Sequence, residues 1–293
     1  MNQWRQRKFG RFGTVRQKRV VYNLLIVFAG LFLLFSVIHL INYYGQKDKD
    51  EKNTTDMLAI IESVEPQNAI ATTNPIPETP TPSIMPTTIP ASLELIRYND
   101  TTISEQTANT ERIEEIKALK ERYEDIVGWI TIDGVVNEAV VQRDNVFYLN
   151  HDASGNSNIN GALFLDAIVD LSTRPYSMII YGHNMRSGAK FGDLYKYENE
   201  EFFSSHSEIE FDTIYETGKY EVFAAGVFKI SDFDIFFLNT LDVKDRMEMI
   251  KKIRNIAAID SRKEVSPADQ LLFLVTCVDD DSERRFVVAR RIE

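Results

Sequence analysis

The only cysteine of the 293-residue chain, Cys277, is the side chain with the strongest nucleophilic chemistry. It ends the apolar run 271–276 and is followed, after Val278, by Asp279 and two further aspartates, so we expect it at the end of a strand, where a site can open. Its thiolate could attack a carbonyl carbon. A free cysteine is also often a buried, inert packing residue. Asp279 could orient a catalytic histidine or simply belong to an acidic turn.

Catalysis by a cysteine requires a nearby imidazole, and His183 is the preferred candidate among four histidines. His183 follows the strand-like apolar run 177–180, whereas His151 and His206 occupy polar, loop-like stretches, and His39 lies in an apolar segment near the N-terminus. From a strand end, His183 could take the thiol proton or protonate a departing amine. A purely structural histidine is the alternative.

Arg285 opens the run 285–290, eight residues after Cys277. A short connection would let the two runs pair as antiparallel strands, with Arg285 beside the thiol. A guanidinium there could stabilise the negative charge on the oxygen of an attacked carbonyl. Alternation along a strand puts Arg284 and Arg285 on opposite faces, so only one can point into the site. The alternative is a solvated cation at a strand edge.

Short strand-like runs separated by turn residues make up most of the chain after residue 127. Their apolar patterns predict strands over 128–133, 137–142, 162–167, 177–183, 220–230, 271–277 and 285–292. Two helices are expected: Glu111–Val127, which has apolar residues at three- and four-residue spacing and ends at Gly128, and a second that opens at Asp242. Many short strands with few helices indicate a closed or nearly closed β-barrel.

The N-terminal region has the features of a membrane anchor. Residues 1–19 carry seven Lys or Arg and no acid, and residues 20–41 form an apolar run of about 33 Å as a helix, enough to cross a bilayer core. This charge asymmetry predicts a cytoplasmic N-terminus. A cleaved signal peptide is disfavoured because no small-x-small site follows the run. Residues 42–110, rich in Pro and Thr, are expected to form an extracytoplasmic stalk before the folded domain, 111–293, although residues 57–64 within the stalk could form a short helix.

The net charge and the cysteine count of the chain bear on its partners and on its redox chemistry. The formal net charge is -11 although the N-terminal tip is basic, and an acidic domain argues against nucleic acid as a partner. One cysteine excludes an internal disulfide. An unpaired thiol outside the cell risks disulfide exchange, which favours a cysteine kept for its reactivity.

Three segments together resemble the signatures of the sortase family. They are Tyr181-Gly182-His183-Asn184, Phe273-Leu274-Val275-Thr276-Cys277, and Arg285 at the start of a Phe-Val-Val strand. Phe273 differs from the Thr that usually begins the cysteine motif. The segments 125–130, 139–142, 145–149, 161–166 and 185–194 resemble class B sortases, which also carry a leading helix and an extra helix before the cysteine strand. The resemblance covers about residues 123–293.

This resemblance implies a mainly β fold, an eight-stranded sortase-type β-barrel, with His183, Cys277 and Arg285 meeting at one end of a groove. It implies a membrane-anchored cysteine transpeptidase. Such an enzyme cleaves a C-terminal sorting signal of a surface protein through a thioacyl intermediate. It then transfers the protein to an amine of peptidoglycan or of its lipid-linked precursor.

The same resemblance implies that Asn145, Leu149 and Tyr181 line the substrate groove and that no cofactor or metal is needed. The implied location is the membrane of a Gram-positive cell, with the catalytic domain outside. Three alternatives remain open. The chain could be a pilus-polymerising sortase whose acceptor is a lysine of another pilin, a non-catalytic cell-surface binding module with an inert Cys277, or a cysteine peptidase that uses water.

Overall fold

The computed structural model describes residues 15–63, 108–231, 241–277 and 282–293. The chain divides into two compact units, Met1–Lys49 and Asp50–Glu293. The first described element is a 49-residue helix, α1 (Val15–Ser63), which contributes residues to both units. Large apolar side chains between Leu24 and Ile41 are exposed, and by length and composition this helix could cross a membrane.

Eight strands close into a β-barrel within the described part of Asp50–Glu293. The strands of the whole sheet are β1 (Ile126–Ile132), β2 (Val136–Val141), β3 (Leu163–Leu165), β4 (Ser177–Tyr181), β5 (Glu208–Thr213), β6 (Lys219–Lys229), β7 (Ala257–Asp260), β8 (Leu271–Cys277) and β9 (Glu283–Arg291). The barrel order is β5-β1-β2-β3-β4-β8-β9-β6, and pairing of β5 with β6 closes it. The pairs β2–β3 and β4–β8 are parallel, and the short β7 adds to β6. The prediction of an eight-stranded barrel is confirmed.

The apolar runs of the sequence correspond to strands that are buried on both faces. On β8, Leu272 and Leu274 pack inside the barrel, while Phe273 and Val275 pack in an outer cluster beneath a helix. The same alternation holds on β4. Strands covered on both faces read as continuous apolar runs rather than as alternating ones.

In the part of the chain that the structure describes, three further α-helices flank the barrel: α2 (residues 108–122), α3 (Glu200–Ser205) and α4 (Val243–Ile256). The Asp242 side chain caps α4 by accepting a hydrogen bond from the Asp245 backbone N–H, and Ile250 and Ile253 bury its apolar face. This is the second predicted helix, and it is confirmed. On the other side, α2 covers β1 to β3 through Ile116 and Leu119.

The leading helix is shorter than predicted. It ends at residue 122, and Ile126, Val127 and Gly128 belong to β1, so the assignment of Gly128 as a helix stop is wrong. A Cβ on Gly128 would lie 2.5 Å from the Asp212 carbonyl oxygen, so this glycine permits close strand packing. Ile126 sustains the helical spacing because it is buried in the same cluster as the helix residues. Two strands, β5 and β7, were not predicted.

Residues 42–63, which the sequence predicts to be stalk, continue helix α1. The segment Asp50–Ser63 belongs to the same compact unit as the barrel. The remaining stalk residues, 64–107, lie outside the described residues. The proposed domain boundaries stay predictions.

Candidate active site

The parallel pairing of β4 with β8 brings the predicted histidine and cysteine to one edge of the barrel. Tyr181 is the register partner of Val275, and the Gly182 N–H donates to the Val275 carbonyl at 3.2 Å. His183 and Cys277 each lie two residues beyond these partners on adjacent strands. The backbone therefore places both residues at the same end of the same strand pair.

Gly182 allows β4 to run on to His183 through a crowded position. A Cβ there would come within 2.5 Å of Leu163 Cδ2 and 2.8 Å of Phe191 Cδ2. The His183 carbonyl accepts a hydrogen bond from the Phe191 N–H at 3.0 Å, which fixes the backbone on the far side. The backbone of the candidate histidine is held on both sides.

The imidazole of His183 is also held. Its Nε2 lies 2.6 Å from the Leu149 carbonyl oxygen. Because a carbonyl oxygen only accepts, Nε2 carries the hydrogen in this contact. Gly161, at φ +62°, packs against the ring, since a Cβ there would lie 3.0 Å from His183 Cδ2. This arrangement sets one ring orientation with a proton on Nε2.

The carbonyl that contacts His183 comes from the 3₁₀ helix Phe147–Leu149, which is anchored from beneath. The buried Tyr148 hydroxyl donates to Asp125 Oδ2 at 2.7 Å, and the Tyr148 carbonyl accepts from the Ala162 N–H at 3.0 Å. Burial, followed by the hydrogen bond to Asp125, raises the pKa of Tyr148 above its usual 10.0, so this hydroxyl stays a donor. The support under Leu149 therefore holds at neutral and alkaline pH.

Two of the predicted groove residues meet at a buried carboxylate that the sequence analysis did not single out. Asp166 is fully buried, and its Oδ2 accepts from the Tyr181 hydroxyl at 2.8 Å and from Asn145 Nδ2 at 3.3 Å. Its Oδ1 accepts from the Ile168 N–H at 3.0 Å. Asn145 in turn accepts from the Ala167 N–H at 2.9 Å. Asp166 thus ties the strand end that carries His183 to the loops beside it.

Exposed apolar side chains surround this network. Leu149 is 42% exposed, Val146 is 69% exposed and Ile168 is 62% exposed. Val146 and Ile168 are sequence neighbours of Asn145 and Ala167, which share a hydrogen bond. Large apolar residues that stay in solvent beside a polar network are typical of a binding surface.

The two candidate arginines occupy neighbouring positions across the β8–β9 ladder. Cys277 pairs with Arg284, and Thr276 pairs with Arg285. The Arg285 side chain is 12% exposed, and its Nε donates to Glu198 Oε1 at 3.0 Å. This contact uses one of five guanidinium N–H donors. Glu198 therefore fixes Arg285, while the backbone register brings Arg284 directly opposite the cysteine.

The rival histidines have local structural contacts. His151 stacks on Phe147 with ring centroids 3.9 Å apart, and its Nδ1 contacts the Phe147 carbonyl oxygen at 2.8 Å. His206 is the C-cap of α3, stacks on Phe202, and contacts the Phe202 carbonyl oxygen at 3.0 Å. Each ring is tied to the aromatic residue four positions before it. Neither directly follows β4 or β8 in the chain.

Three contributors to this site were missed by sequence reasoning: Asp166, Gly161 and Glu198. Asp166 and Gly161 lie within the 161–166 segment of the family resemblance, which was the available signal. Glu198 had no signal, because its partner Arg285 is 87 residues away. Asp279 lies outside the described residues. Among the residues that the structure describes, no group of three or more His, Cys, Asp or Glu could hold a metal ion.

Comparison with known proteins agrees with this fold. Residues 130–292 match the family model of the sortase domain. Sortase B of Listeria monocytogenes is 28% identical over 188 residues, which cover 63% of this chain and 74% of that protein. The crystal structure of Bacillus anthracis sortase B in complex with AAEK2 is 31% identical, with a TM-score of 0.57 over 61% of this chain and 83% of that one. A Staphylococcus aureus sortase B–substrate complex is 27% identical, with a TM-score of 0.60 over 69% and 94% of the two chains.

Proposed function

Because the chain belongs to the sortase family and is class B-like, we propose that it is a membrane-anchored cysteine transpeptidase of the cell surface. It cleaves the C-terminal sorting signal of a surface protein and joins that protein to an amine of the cell wall. Cys277 is the nucleophile, His183 the general acid and base, and Arg285 the oxyanion-stabilising residue.

One observation carries this proposal. The hydrogen bond from the Gly182 N–H to the Val275 carbonyl, 3.2 Å long, continues the β4–β8 pairing up to the residues that precede His183 and Cys277. Adjacent strand ends bring the backbones of a cysteine and a histidine together, and thiol acyl transfer requires an imidazole near the thiol.

In the first half-reaction the Cys277 thiolate attacks the carbonyl carbon of the scissile peptide bond. The C–N bond breaks, and His183 gives a proton to the departing amine, which leaves a thioester on the enzyme. The contact of His183 Nε2 with the Leu149 carbonyl supports this role because it holds the ring in one orientation. In the second half-reaction an acceptor amine attacks the thioester, loses a proton to His183, and releases the thiolate.

Arg285 stabilises the oxyanion that forms in both half-reactions. Its ion pair with Glu198 supports this role, because it holds the guanidinium in place and leaves little of the side chain exposed. A donor that is already oriented costs no reorganisation as charge develops. Arg284 is the competing assignment, and the variants described in the Discussion separate the two.

The sorting signal binds beside Asp166. Asn145 and Tyr181 are oriented by that carboxylate, and the exposed Leu149 side chain supplies apolar contact. An extended peptide would find polar and apolar groups together along this edge. By its sortase family membership, the partner is a surface protein with a C-terminal sorting signal, and the acceptor is peptidoglycan or its lipid-linked precursor.

The membrane anchor is the apolar part of α1, with the basic N-terminus in the cytoplasm and the catalytic domain outside a Gram-positive cell. The seven cations of residues 1–19 support this orientation. Protease added to wall-stripped cells is expected to release the domain. Full protection of the domain would contradict the orientation.

The test uses the full chain in detergent with a library of sorting-signal peptides. We expect a thioacyl adduct on Cys277 by mass spectrometry, and a transfer product only when an amine such as a peptidoglycan stem peptide is added. Cys277→Ala is expected to fold and to form neither. Cleavage that does not respond to the amine would identify a peptidase, and efficient transfer only to a pilin lysine would identify a pilus polymerase. An intact adduct-free protein with every peptide would refute the proposal.

A further inference from the structure

The C-terminal part of α1, Asp50–Ser63, packs onto the barrel and belongs to the same compact unit, Asp50–Glu293. Met57 is 2% exposed and Ile61 is 6% exposed. Both belong to the apolar cluster that contains Trp129 of β1 and Tyr148, the residue next to Leu149. Burial of these two large apolar side chains stabilises the contact between this segment and the barrel.

Polar contacts on the same helix segment reach the loop 150–161. The Asp50 carboxylate, in a residue only 9% exposed, accepts from the side-chain amides of Asn158 and Asn160, the latter at 2.5 Å. One turn further on, Asn53 Oδ1 accepts from Ser154 Oγ at 2.7 Å. Residues three apart share one helix face. Asp50 and Asn53 on this face therefore hold the loop through three of its side chains, Ser154, Asn158 and Asn160.

A buried cation extends the network to the turn that follows His183. Lys190 is 6% exposed, and its Nζ lies 2.6 Å from Glu138 Oε2 on β2. Burial raises the pKa of Asp50 above its usual 3.8, and the attraction of Lys190 opposes this change. Lys190 also forms a backbone bridge with Asn184, the residue after His183. Asp50 therefore interacts with the turn after His183 through the charge of Lys190, and with the loop 150–161 through Asn158 and Asn160.

The loop held by Asp50 connects the two residues that contact the His183 imidazole, Leu149 and Gly161. The Asn158 N–H donates to the Asn150 carbonyl at 2.9 Å, and the Gly161 N–H donates to the Asn158 carbonyl at 3.1 Å. Gly161 packs on the His183 ring, and the Leu149 carbonyl contacts its Nε2. The loop 150–161, which contains Asn158, therefore starts directly after Leu149 and ends at Gly161, the two residues that contact the His183 imidazole.

We propose that Asp50 is a positioning residue for His183: by binding Asn158 and Asn160, the α1 segment Asp50–Ser63 sets the loop that orients the imidazole. Asp50 touches no reacting atom. The catalytic part of this inference rests on the proposed function. The positioning part concerns only the conformation of the loop and the ring.

The test compares Asp50→Asn with Asp56→Asn in the full chain in detergent. Asp56 lies on the same helix and is exposed, so it receives the same change without the buried contacts. The first readout is amide hydrogen exchange of residues 150–161. The second is the His183 ring resonance in protein with ¹⁵N-labelled histidine, assigned through its loss in His183→Gln. Both readouts are independent of catalysis.

We expect at least tenfold faster exchange in the loop and a shifted His183 resonance in Asp50→Asn only. With an active peptide, kcat is expected to fall about tenfold or more at unchanged KM, since displacement of a catalytic group costs rate rather than binding. Unchanged exchange would overturn the docking. Faster exchange with an unshifted resonance would overturn the positioning role.

If wild-type protein transfers no peptide, the proposed function fails while these two spectroscopic outcomes still decide the inference. If Asp50→Asn does not fold, Asn53→Ala removes one contact of the same face and is measured in the same way.

Discussion

Replacement of Gly161 by alanine tests whether the imidazole position controls turnover. Gly161 has φ +62°, which a side chain disfavours, and an added Cβ would lie 2.5 Å from the Tyr148 carbonyl oxygen and 3.0 Å from His183 Cδ2. Gly155 in the same loop has φ +80° and nothing within 4 Å of an added Cβ. The two substitutions share the backbone strain, and only the first adds the collision with the site.

The expected sizes follow from these contacts. A left-handed conformation costs a residue with a Cβ about 1–2 kcal/mol, so Gly155→Ala is expected to lower the free energy of unfolding by that amount. Forced overlap adds about 1–3 kcal/mol, so Gly161→Ala is expected to lower it by about 2–5 kcal/mol. Relief of a 2.5 Å contact requires a shift of the order of 0.5–1 Å in the groups around the ring. A misplacement of about 1 Å can cost about 10²-fold in rate.

The assay measures kcat/KM for amine-dependent peptide transfer, together with the free energy of unfolding from denaturant titration. Rates are taken at a temperature at which both variants are folded. We expect Gly161→Ala to lose about 10²-fold and Gly155→Ala to stay within about twofold of wild type. Equal rates for the two variants would refute the claim that the Gly161 contact sets the position of His183.

Three further predictions concern residues at and away from the site. Arg285→Lys is expected to lower turnover about 10²-fold with folding retained, because an ammonium cannot reproduce the planar donor fork, while Arg284→Lys changes little; steady-state rates in the opposite order would move the oxyanion role to Arg284. His183→Gln is expected to lower kcat by about 10²-fold or more, and His206→Gln to leave it near wild type; the converse result would show that the wrong imidazole was chosen. The hydrogen bond to Lys263 is the largest cause that lowers the pKa of Glu221 from its usual 4.5, so the pKa is lower in the folded state than in the unfolded state. The ionised carboxylate therefore stabilises the fold above about pH 4.5, and this stabilisation is lost as the pH falls through the folded-state pKa. Glu221→Gln is therefore expected to lower the free energy of unfolding by about 1 kcal/mol at pH 7 and by less at pH 3, and a pH-independent difference in thermal unfolding would contradict this reasoning.

Much of the barrel was predictable because its strands carry their burial pattern locally. The runs 178–180 and 271–275 are apolar at every position, and each became part of a strand covered on both faces. β5, EIEFDT, alternates charged and apolar residues, which is the pattern of a strand with one exposed face, so this strand was predictable and was missed. The closing pair β5–β6 is a hairpin of consecutive strands, whereas β1–β5 and β6–β9 join distant segments, so only the tertiary structure decided those two pairings.

The leading helix shows the limit of periodicity. Its apolar spacing continues through Ile126, but the chain leaves the helix after residue 122, because β1 gains strand partners on both sides. Periodicity reports which residues are buried and not which backbone geometry buries them. Tertiary pairing overrides local propensity at such boundaries.

The residue types and their order along the chain by themselves determined which residues are candidates for catalysis, and the family resemblance implied the chemistry. One cysteine at the end of an apolar run, one histidine at the end of another and an arginine opening a third already defined the candidate nucleophile, acid and oxyanion donor. The tertiary structure alone decided what surrounds them: Asp166 between Asn145 and Tyr181, and Glu198 beside Arg285. It also turned part of the predicted stalk into a helix that holds the loop beside His183 through Asp50. The physical reason is distance along the chain: strand patterns are local, whereas Asp50 lies 110 residues from Asn160, and contacts of that range appear only when the folded chain brings them together.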